Sequence, residues 1–304
     1  MNAVVIPGRN YVSQAERIAQ RLNCMLIKTH YKEFPDGEQY VRIEPPEQLK
    51  SRKALIINTM YPWQDRSLVE ILMLVDAAMR AGAESVHLII PYIAYSRQDK
   101  IFLPGEPVSF SLVLRALKSM GARSLLTVDV HNPERLSEFE GFVENILVSD
   151  LLVAEAIDIV SNPVVIAPDK GALKRAEFAA RKLGLKFDYL IKTRDRVTGR
   201  VSYQPREVEI KGENVVMVDD IISTGGTMAE ASRLLLDKGA ASIVIAATHG
   251  LMIGNALEKI KAAGVKKVLL ADTLGIRLSD PLIEYIDITN RLSDAIKEMV
   301  EKVE

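Results

Sequence analysis

The sequence predicts an α/β protein made of two similar domains, each a mainly parallel sheet flanked by helices. Three observations predict it. Short β-branched runs alternate with amphipathic stretches along the chain, the pattern of parallel strands joined by crossover helices. One junction then recurs: a helical stretch closes on glycine and a β-run opens about three residues later, glycine suiting the left-handed end of a helix. It reads Ala81-Gly82-Ala83 before Val86, Met120-Gly121-Ala122 before Leu125, Lys238-Gly239-Ala240 before Ile243, and Ala263-Gly264-Val265 before Val268. Finally, these junctions fall two to each half, so the chain reads as a duplicated fold divided into residues 1–147 and 148–304.

In the first half, Val4–Ile6, Ala54–Asn58, Val86–Ile90 and Leu125–Val128 are short apolar runs, as strands covered on both faces require. Between them Ser67–Arg80 and Val108–Ser119 space their apolar residues as helices do. The second half repeats the scheme. Its strands are Val164–Ala167, Val215–Val218, Ile243–Ala247 and Val268–Ala271, with helices at Ala172–Lys182 and Gly226–Lys238. The two glycine junctions lie farther apart in the first half. The excess holds Arg97–Pro107, a polar segment with Pro and Gly, and loop length that the core does not need points to function.

Composition narrows the class. The chain has 304 residues, 48% of them hydrophobic and 26% charged, with a net charge of −1, which predicts a soluble protein with a sizeable core. Near-neutral charge argues against a nucleic-acid partner. No apolar run reaches the length of a membrane span, and residues 1–20 carry no signal-peptide pattern, so a cytoplasmic protein without a membrane partner is expected. A single cysteine, Cys24, excludes an internal disulfide and a cysteine-based zinc site. No Gly-x-x-x-x-Gly-Lys-Ser/Thr occurs, which excludes a P-loop kinase.

Residues 215–228 carry the sharpest chemical signal. The run Val215–Val218 reads as a buried strand with two adjacent carboxylates, Asp219 and Asp220, at its C-terminal end. Ser223, Thr224, Gly225, Gly226 and Thr227 then turn the chain into a helix that is expected to begin near Met228. Glycines let a backbone approach an anion, and consecutive N–H groups with hydroxyls can surround a phosphate at a helix N-terminus. The carboxylates would repel a phosphate. They suit sugar hydroxyls, which donate to carboxylates, or a hydrated Mg²⁺. The region corresponding to this turn in the first half, about Thr59–Ser67, lacks these features, so the first half must supply something else.

Other segments hold further candidates. Lys192 and Arg194 follow the apolar run Phe187–Ile191, and the polar stretch from Asp195 to Arg206, with Thr198-Gly199, reads as a flap. Arg97, Gln98 and Lys100 lie on the long loop after Val86–Ile90, where cationic and amide donors can hold phosphates. Asp129 and His131, two apart after Leu125–Val128, are expected on one side of an extended chain. Pro35-Asp36-Gly37 reads as a hairpin turn.

Asp219–Thr227 resembles the 5-phosphoribosyl 1-diphosphate loop of the type I phosphoribosyltransferase fold. That loop alone leaves a transferase, a regulator and a synthase open. Five further segments occur in one order: Phe34-Pro-Asp-Gly-Glu38 with Tyr40-Val-Arg-Ile43, Pro91–Lys100, Asp129-Val-His131, Ala167-Pro-Asp-Lys-Gly171 and Lys192-Thr-Arg194. Together they resemble the ribose-phosphate diphosphokinase family across nearly the whole chain. The resemblance implies two type I phosphoribosyltransferase-like domains and transfer of the diphosphoryl group of ATP to ribose 5-phosphate. It implies that Asp219, Asp220 and Ser223–Thr227 bind ribose 5-phosphate, and that Arg97 and Gln98 contact ATP. It implies that Phe34, Asp36 and Glu38 hold the adenine from a neighbouring subunit of a homo-oligomer. His131 and Asp169 would attend Mg²⁺, and Lys192 and Arg194 would stabilise the transferring group. Lys170 departs from the family's pattern.

Overall fold

The computed structural model describes residues 1–194 and 201–303, the side chains of 192–194 and 201–205 excepted. The expected flap residues Asp195, Thr198 and Gly199 lie outside the described residues. The chain forms two compact units: Met1–Ile146 with Thr273–Ile276 and Ile288–Glu304, and Leu147–Asp272 with Arg277–Asp287.

The first unit runs β1 (Ala3–Pro7), α1 (Val12–Leu22), β2 (Met25–Leu26), β3 (Lys28–Glu33), β4 (Gln39–Glu44), β5 (Lys53–Ile57), α2 (Gln64–Arg80), β6 (Ser85–Ile90), α3 (Ser109–Ser119), β7 (Ala122–Val128) and β8 (Phe142–Ile146). Its main sheet has the order β2-β1-β5-β6-β7-β8, and every pairing in it is parallel. Strands β3 and β4 form a separate antiparallel hairpin. The central strands are apolar along their length because helices cover both faces: Val4 to Ile6, Ala54 to Ile57 and Val86 to Ile90 are all buried.

The second unit runs α4 (Ser149–Ile159), β9 (Val164–Ala167), α5 (Leu173–Leu183), β10 (Phe187–Arg194), β11 (Val201–Pro205), β12 (Asn214–Ile222), α6 (Gly226–Asp237), β13 (Ser242–Gly250), α7 (Ala256–Lys261), β14 (Lys267–Ala271) and β15 (Ile283–Ile286). Its sheet has the order β11-β10-β9-β12-β13-β14-β15, parallel except for the β10–β11 pair. With β11 set aside, the order repeats that of the first unit strand for strand. In each sheet the order reverses beside the first strand, between β1 and β5 and between β9 and β12. Ligands of open α/β sheets bind outside the carboxyl ends of the strands at such a reversal. The turn 223–225 and Asp169 therefore stand where the topology puts a crevice.

The last helix, α8 (Thr289–Lys302), departs from the expected division at 147/148. It follows the second unit in sequence but packs in the first, on α1, β7 and β8. Its stripe of Leu292, Ala295, Ile296, Met299 and Val300 is buried at helical spacing. Arg17 donates to Thr289 Oγ1 at 3.3 Å, and Ser124 Oγ lies 3.2 Å from Met299 Sδ. The apolar stripe needs a sheet face to cover, and the first unit provides it. Helix α2 begins at Gln64, earlier than the expected Ser67, while α6 begins at Gly226, the start of the expected helix Gly226–Lys238.

His87 sits inside this packing, 1% exposed on β6. Its Nε2 is 2.9 Å from Ser85 Oγ and its Nδ1 is 2.8 Å from Ser124 Oγ on β7. Burial, then the charges of Lys53 and Arg123, push its pKa down from 6.5 to about 4. The unfolded chain thus takes up a proton that the folded chain refuses. The linked stability is fully present above pH 6.5 and is lost as pH falls towards 4, a total on the order of 3 kcal/mol. Urea unfolding at pH 7 and pH 5 checks this against His87→Gln, which keeps hydrogen-bonding groups but does not titrate. Wild type should lose about 2 kcal/mol more than the variant between the two pH values. Equal losses would contradict the assignment.

Candidate active site

The site in the second unit begins with β12. This strand does not end at Val218, as its apolar run suggests. It continues in register with β13 to Ile222, with Asp219 opposite Ala247 and Ile221 opposite His249. Backbone pairing therefore fixes both carboxylates within the strand. Asp220 is 4% exposed and Asp219 is half-buried. Asp219 Oδ1 accepts the Asp220 N–H at 2.9 Å. On the other side, Arg175 Nη2 of α5 lies 3.5 Å from Asp220 Oδ2, with both side chains buried. Burial, then the charge of Asp220, push the Asp219 carboxyl well above the ordinary carboxylate range, and Arg175 pulls it back. The pair thus retains a proton at pH values where a free aspartate has released it.

The turn after β12 directs its carbonyls to the protein. Ser223 C=O accepts Ile253 N–H at 2.8 Å, and Thr224 C=O accepts Lys259 Nζ at 3.3 Å. Gly225 has φ +71°, and a Cβ there would lie 2.9 Å from the Ala256 carbonyl oxygen, so the position needs glycine. A Cβ on Gly226 would meet nothing within 4 Å, and Gly226 and Thr227 are exposed. The first N–H groups of α6 have no acceptor within the helix, and Gly225 caps it without a side-chain hydrogen bond. Hydroxyls, N–H groups and the positive end of a helix dipole coincide here, an arrangement that takes an anion.

The turn after β9 lies across the same reversal of strand order. Exposed Asp169 uses Oδ1 to accept the N–H groups of Gly171 at 2.7 Å and Ala172 at 3.2 Å, which shapes the entry into α5. Arg175 Nη1 donates to Gly171 C=O at 3.3 Å. One guanidinium therefore touches both the Asp169 turn and the carboxylate pair.

In the first unit, the same reversal of strand order is filled by the protein itself. Glu70 of α2, 2% exposed, accepts at Oε1 from Arg9 N–H and from Asn58 Nδ2, each at 2.9 Å, while its Oε2 is 3.4 Å from Arg9 Nε. Asn10 Nδ2 donates to Ser67 Oγ at 2.9 Å. Burial pushes the Glu70 carboxyl up against these favourable bonds. A Cβ on Gly8 would fall 2.0 Å from Asn58 Cγ, so the loop closes tightly. Glu70, Asn58, Asn10 and Ser67 are engaged with protein groups, whereas Arg9 Nε and Nη2 are buried without a hydrogen-bond partner.

The remaining candidates of this unit stand on neighbouring loops. Phe34–Gly37 is a closed turn, with Gly37 N–H to Phe34 C=O at 2.9 Å and Phe34 N–H to Glu38 C=O at 2.8 Å. Asp36 Oδ1 accepts Glu38 N–H at 3.1 Å. Phe34, Asp36 and Glu38 are all exposed, and Lys32 Nζ lies 4.7 Å from the Phe34 ring centroid. Arg97 is exposed; Gln98 is anchored by its N–H to Tyr95 C=O at 3.0 Å and accepts from Ser109 Oγ. Asp99, 9% exposed, accepts Asn132 Nδ2 at 2.6 Å and ties this loop to the one bearing His131. The expectation that Asp129 and His131 share a side is corrected. Strand β7 stops at Val128, and Asp129 has φ +48°, which breaks the alternation of an extended chain. Asp129 is buried and His131 is exposed.

Residues 3–121 match the N-terminal domain of ribose phosphate pyrophosphokinase, and residues 152–273 match the phosphoribosyl transferase domain. The chain is 40% identical over 291 residues to the ribose-phosphate pyrophosphokinase of Aeropyrum pernix, covering 95% of this chain and 94% of that one. It is 41% identical over 293 residues to that of Methanopyrus kandleri, covering 93% and 98%. This chain belongs to the ribose-phosphate pyrophosphokinase family. The fold agrees: phosphoribosylpyrophosphate synthetase from Mycobacterium smegmatis superimposes with a TM-score of 0.89 at 29% identity, over 99% of this chain and all of that one.

For a ribose-phosphate pyrophosphokinase, the second unit brings Asp219, Asp220 and 223–227 together with Asp169 around one reversal of strand order. Lys192 and Arg194 lie on β10 near its C-terminal end, with side chains outside the described residues. Sequence reasoning missed three contributors. Arg175 hides in a helix whose buried stripe is otherwise Ala176, Ala179 and Ala180, and a lone arginine in an alanine stripe was the available signal. Asp188, 6% exposed, accepts the N–H groups of Glu207 at 2.7 Å and Val208 at 3.0 Å beyond β11. Lys259 holds the Thr224 carbonyl, and nothing in its local pattern announces that.

Proposed function

We propose that the protein transfers the diphosphoryl group of ATP to the C1 hydroxyl of ribose 5-phosphate, giving 5-phosphoribosyl 1-diphosphate and AMP for nucleotide synthesis in the cytoplasm. The observation that carries this reading is the end of β12 and its turn into α6. A carboxylate pair for sugar hydroxyls stands directly beside an anion cradle, which is the sequence of groups along a sugar phosphate. Ser223, Thr224, Gly225, Gly226 and Thr227 hold the 5-phosphate, and Asp219 and Asp220 accept from the ribose hydroxyls. Arg97 and Gln98 serve ATP. The C1 oxygen attacks the β-phosphorus in line, the bond from that phosphorus to the α–β bridging oxygen breaks, and AMP leaves with that oxygen. Lys192 and Arg194 stabilise the charge on the group in flight.

Mg²⁺ belongs to this reading, with Asp169 of the second unit and His131 of the first each a side chain able to attend the ion. Among the described residues no cluster of three or more His, Cys, Asp or Glu forms a cage for a metal. Mg²⁺ does not need one, because it is held by one or two side chains with waters and substrate phosphates. Exposed Asp169 and exposed His131 fit that role. Bound there, the ion would neutralise phosphate charge.

Phosphorus NMR of the protein with ATP, Mg²⁺ and ribose 5-phosphate tests the reaction. AMP and 5-phosphoribosyl 1-diphosphate should appear together, and formation of ADP would overturn the proposal.

The exposed Phe34, Asp36 and Glu38 turn takes the adenine of an ATP bound by a second copy, so a homo-oligomer is the working form. Phe34→Ala/Asp36→Ala protein and Lys192→Ala protein, each inactive alone, should recover part of the wild-type rate when their subunits are exchanged. No recovery after demonstrated exchange would assign the turn to its own chain.

A further inference from the structure

We propose that Arg175 is a positioning residue of the pentose site: it holds Asp220, and through Asp220 the geometry of the carboxylate pair, for the ribose hydroxyls. The inference rests on the ribose 5-phosphate reading above.

The geometry points to it from three directions. Arg175 and Asp220 are 6% and 4% exposed, so each is buried with the other as its charge partner at 3.5 Å. A buried carboxylate beside a second carboxylate is costly, and a guanidinium is the group that compensates it. Next, the two carboxylates are gripped from both ends. Arg175 takes Asp220 Oδ2, while Asp219 Oδ1 is taken by the Asp220 N–H at 2.9 Å. Finally, Arg175 is fixed on its own side. Its Nη1 donates to Gly171 C=O at 3.3 Å, and its backbone carbonyl accepts Ser149 Oγ at 3.0 Å. The planar fork thereby links the turn that carries Asp169 to the end of β12, a double duty a lysine ammonium does not reproduce. The neighbouring Ala176, Ala179 and Ala180 let α5 approach closely enough for the contact.

An arginine that only docks α5 would serve every substrate alike. One that orients hydroxyl acceptors affects a substrate in proportion to the hydroxyls it offers. Comparison of ribose 5-phosphate with 2-deoxyribose 5-phosphate separates the two roles. A site built to bond a hydroxyl discriminates strongly against its absence, so wild type should prefer ribose 5-phosphate by a factor on the order of 10² or more in kcat/KM. In Arg175→Gln, KM for ribose 5-phosphate should rise about tenfold with KM for ATP unchanged, and the preference should shrink by about tenfold. Arg175→Met, which fills the buried space without a charge, is the second variant. Whichever keeps the wild-type circular dichroism spectrum is assayed. An unchanged preference, with both sugars slowed equally, would overturn the proposal, and so would loss of folding in both variants, which would make Arg175 a structural residue. Wild-type protein that fails to use ribose 5-phosphate at all would instead defeat the functional reading.

Discussion

Two carboxylates side by side near the buried end of one strand set the terms for the second unit. Neither Asp219 nor Asp220 can leave, because β12 is paired with β13 through and beyond both. Burial and mutual repulsion drive the pair to keep a proton and to recruit a cation. Arg175 is that cation, and its placement requires α5 to lie close, with an alanine-lined face and an entry shaped by Asp169. The anion cradle follows directly from the same strand. Strand β12 delivers the chain to Gly225, whose left-handed conformation starts α6 with its N–H groups exposed. The carboxylate pair and the cradle are thus one piece of backbone.

The two units share a strand order yet use it differently. At the first unit's reversal, Glu70 is bonded by the Arg9 backbone N–H and by Asn58, and Asn10 bonds Ser67, while Arg9 Nε and Nη2 are buried without a hydrogen-bond partner. At the second unit's reversal, glycines and hydroxyls leave the backbone open. The duplicated strand order therefore gives two equivalent reversals, lined in the first unit by a carboxylate, an arginine and amides and in the second by glycines and hydroxyls. The first unit's candidate residues are displaced to later loops, after β6 and β7, and to the β3–β4 turn.

Much of this was legible in the sequence, for physical reasons. Continuous β-branched runs between helical stretches, closed by Gly82, Gly121, Gly239 and Gly264, foretold two parallel sheets, because those glycines all adopt positive φ at helix ends. The turn from β12 into α6 was legible because its signal is local: hydroxyls and glycines in one stretch, with Gly225 at positive φ. What was hidden depends on contacts far apart in the chain. The grouping of α8 with the first unit needs a partner face that no local pattern names. Arg175 reads as one more basic helix residue until its neighbour 45 positions on, Asp220, is seen beside it. The geometry at Asp129 failed in the reading because a single left-handed residue, φ +48°, cancels the alternation assumed for a strand.

The central claim is that half-buried Asp219 and buried Asp220 act as a coupled carboxylate pair balanced by Arg175. Carbon NMR of the Asp219 and Asp220 carboxyl groups across a pH titration tests it most directly. One apparent titration of the pair should fall well above the ordinary carboxylate range, and it should move higher still when Arg175 is replaced. Two ordinary aspartate titrations, indifferent to residue 175, would contradict the account.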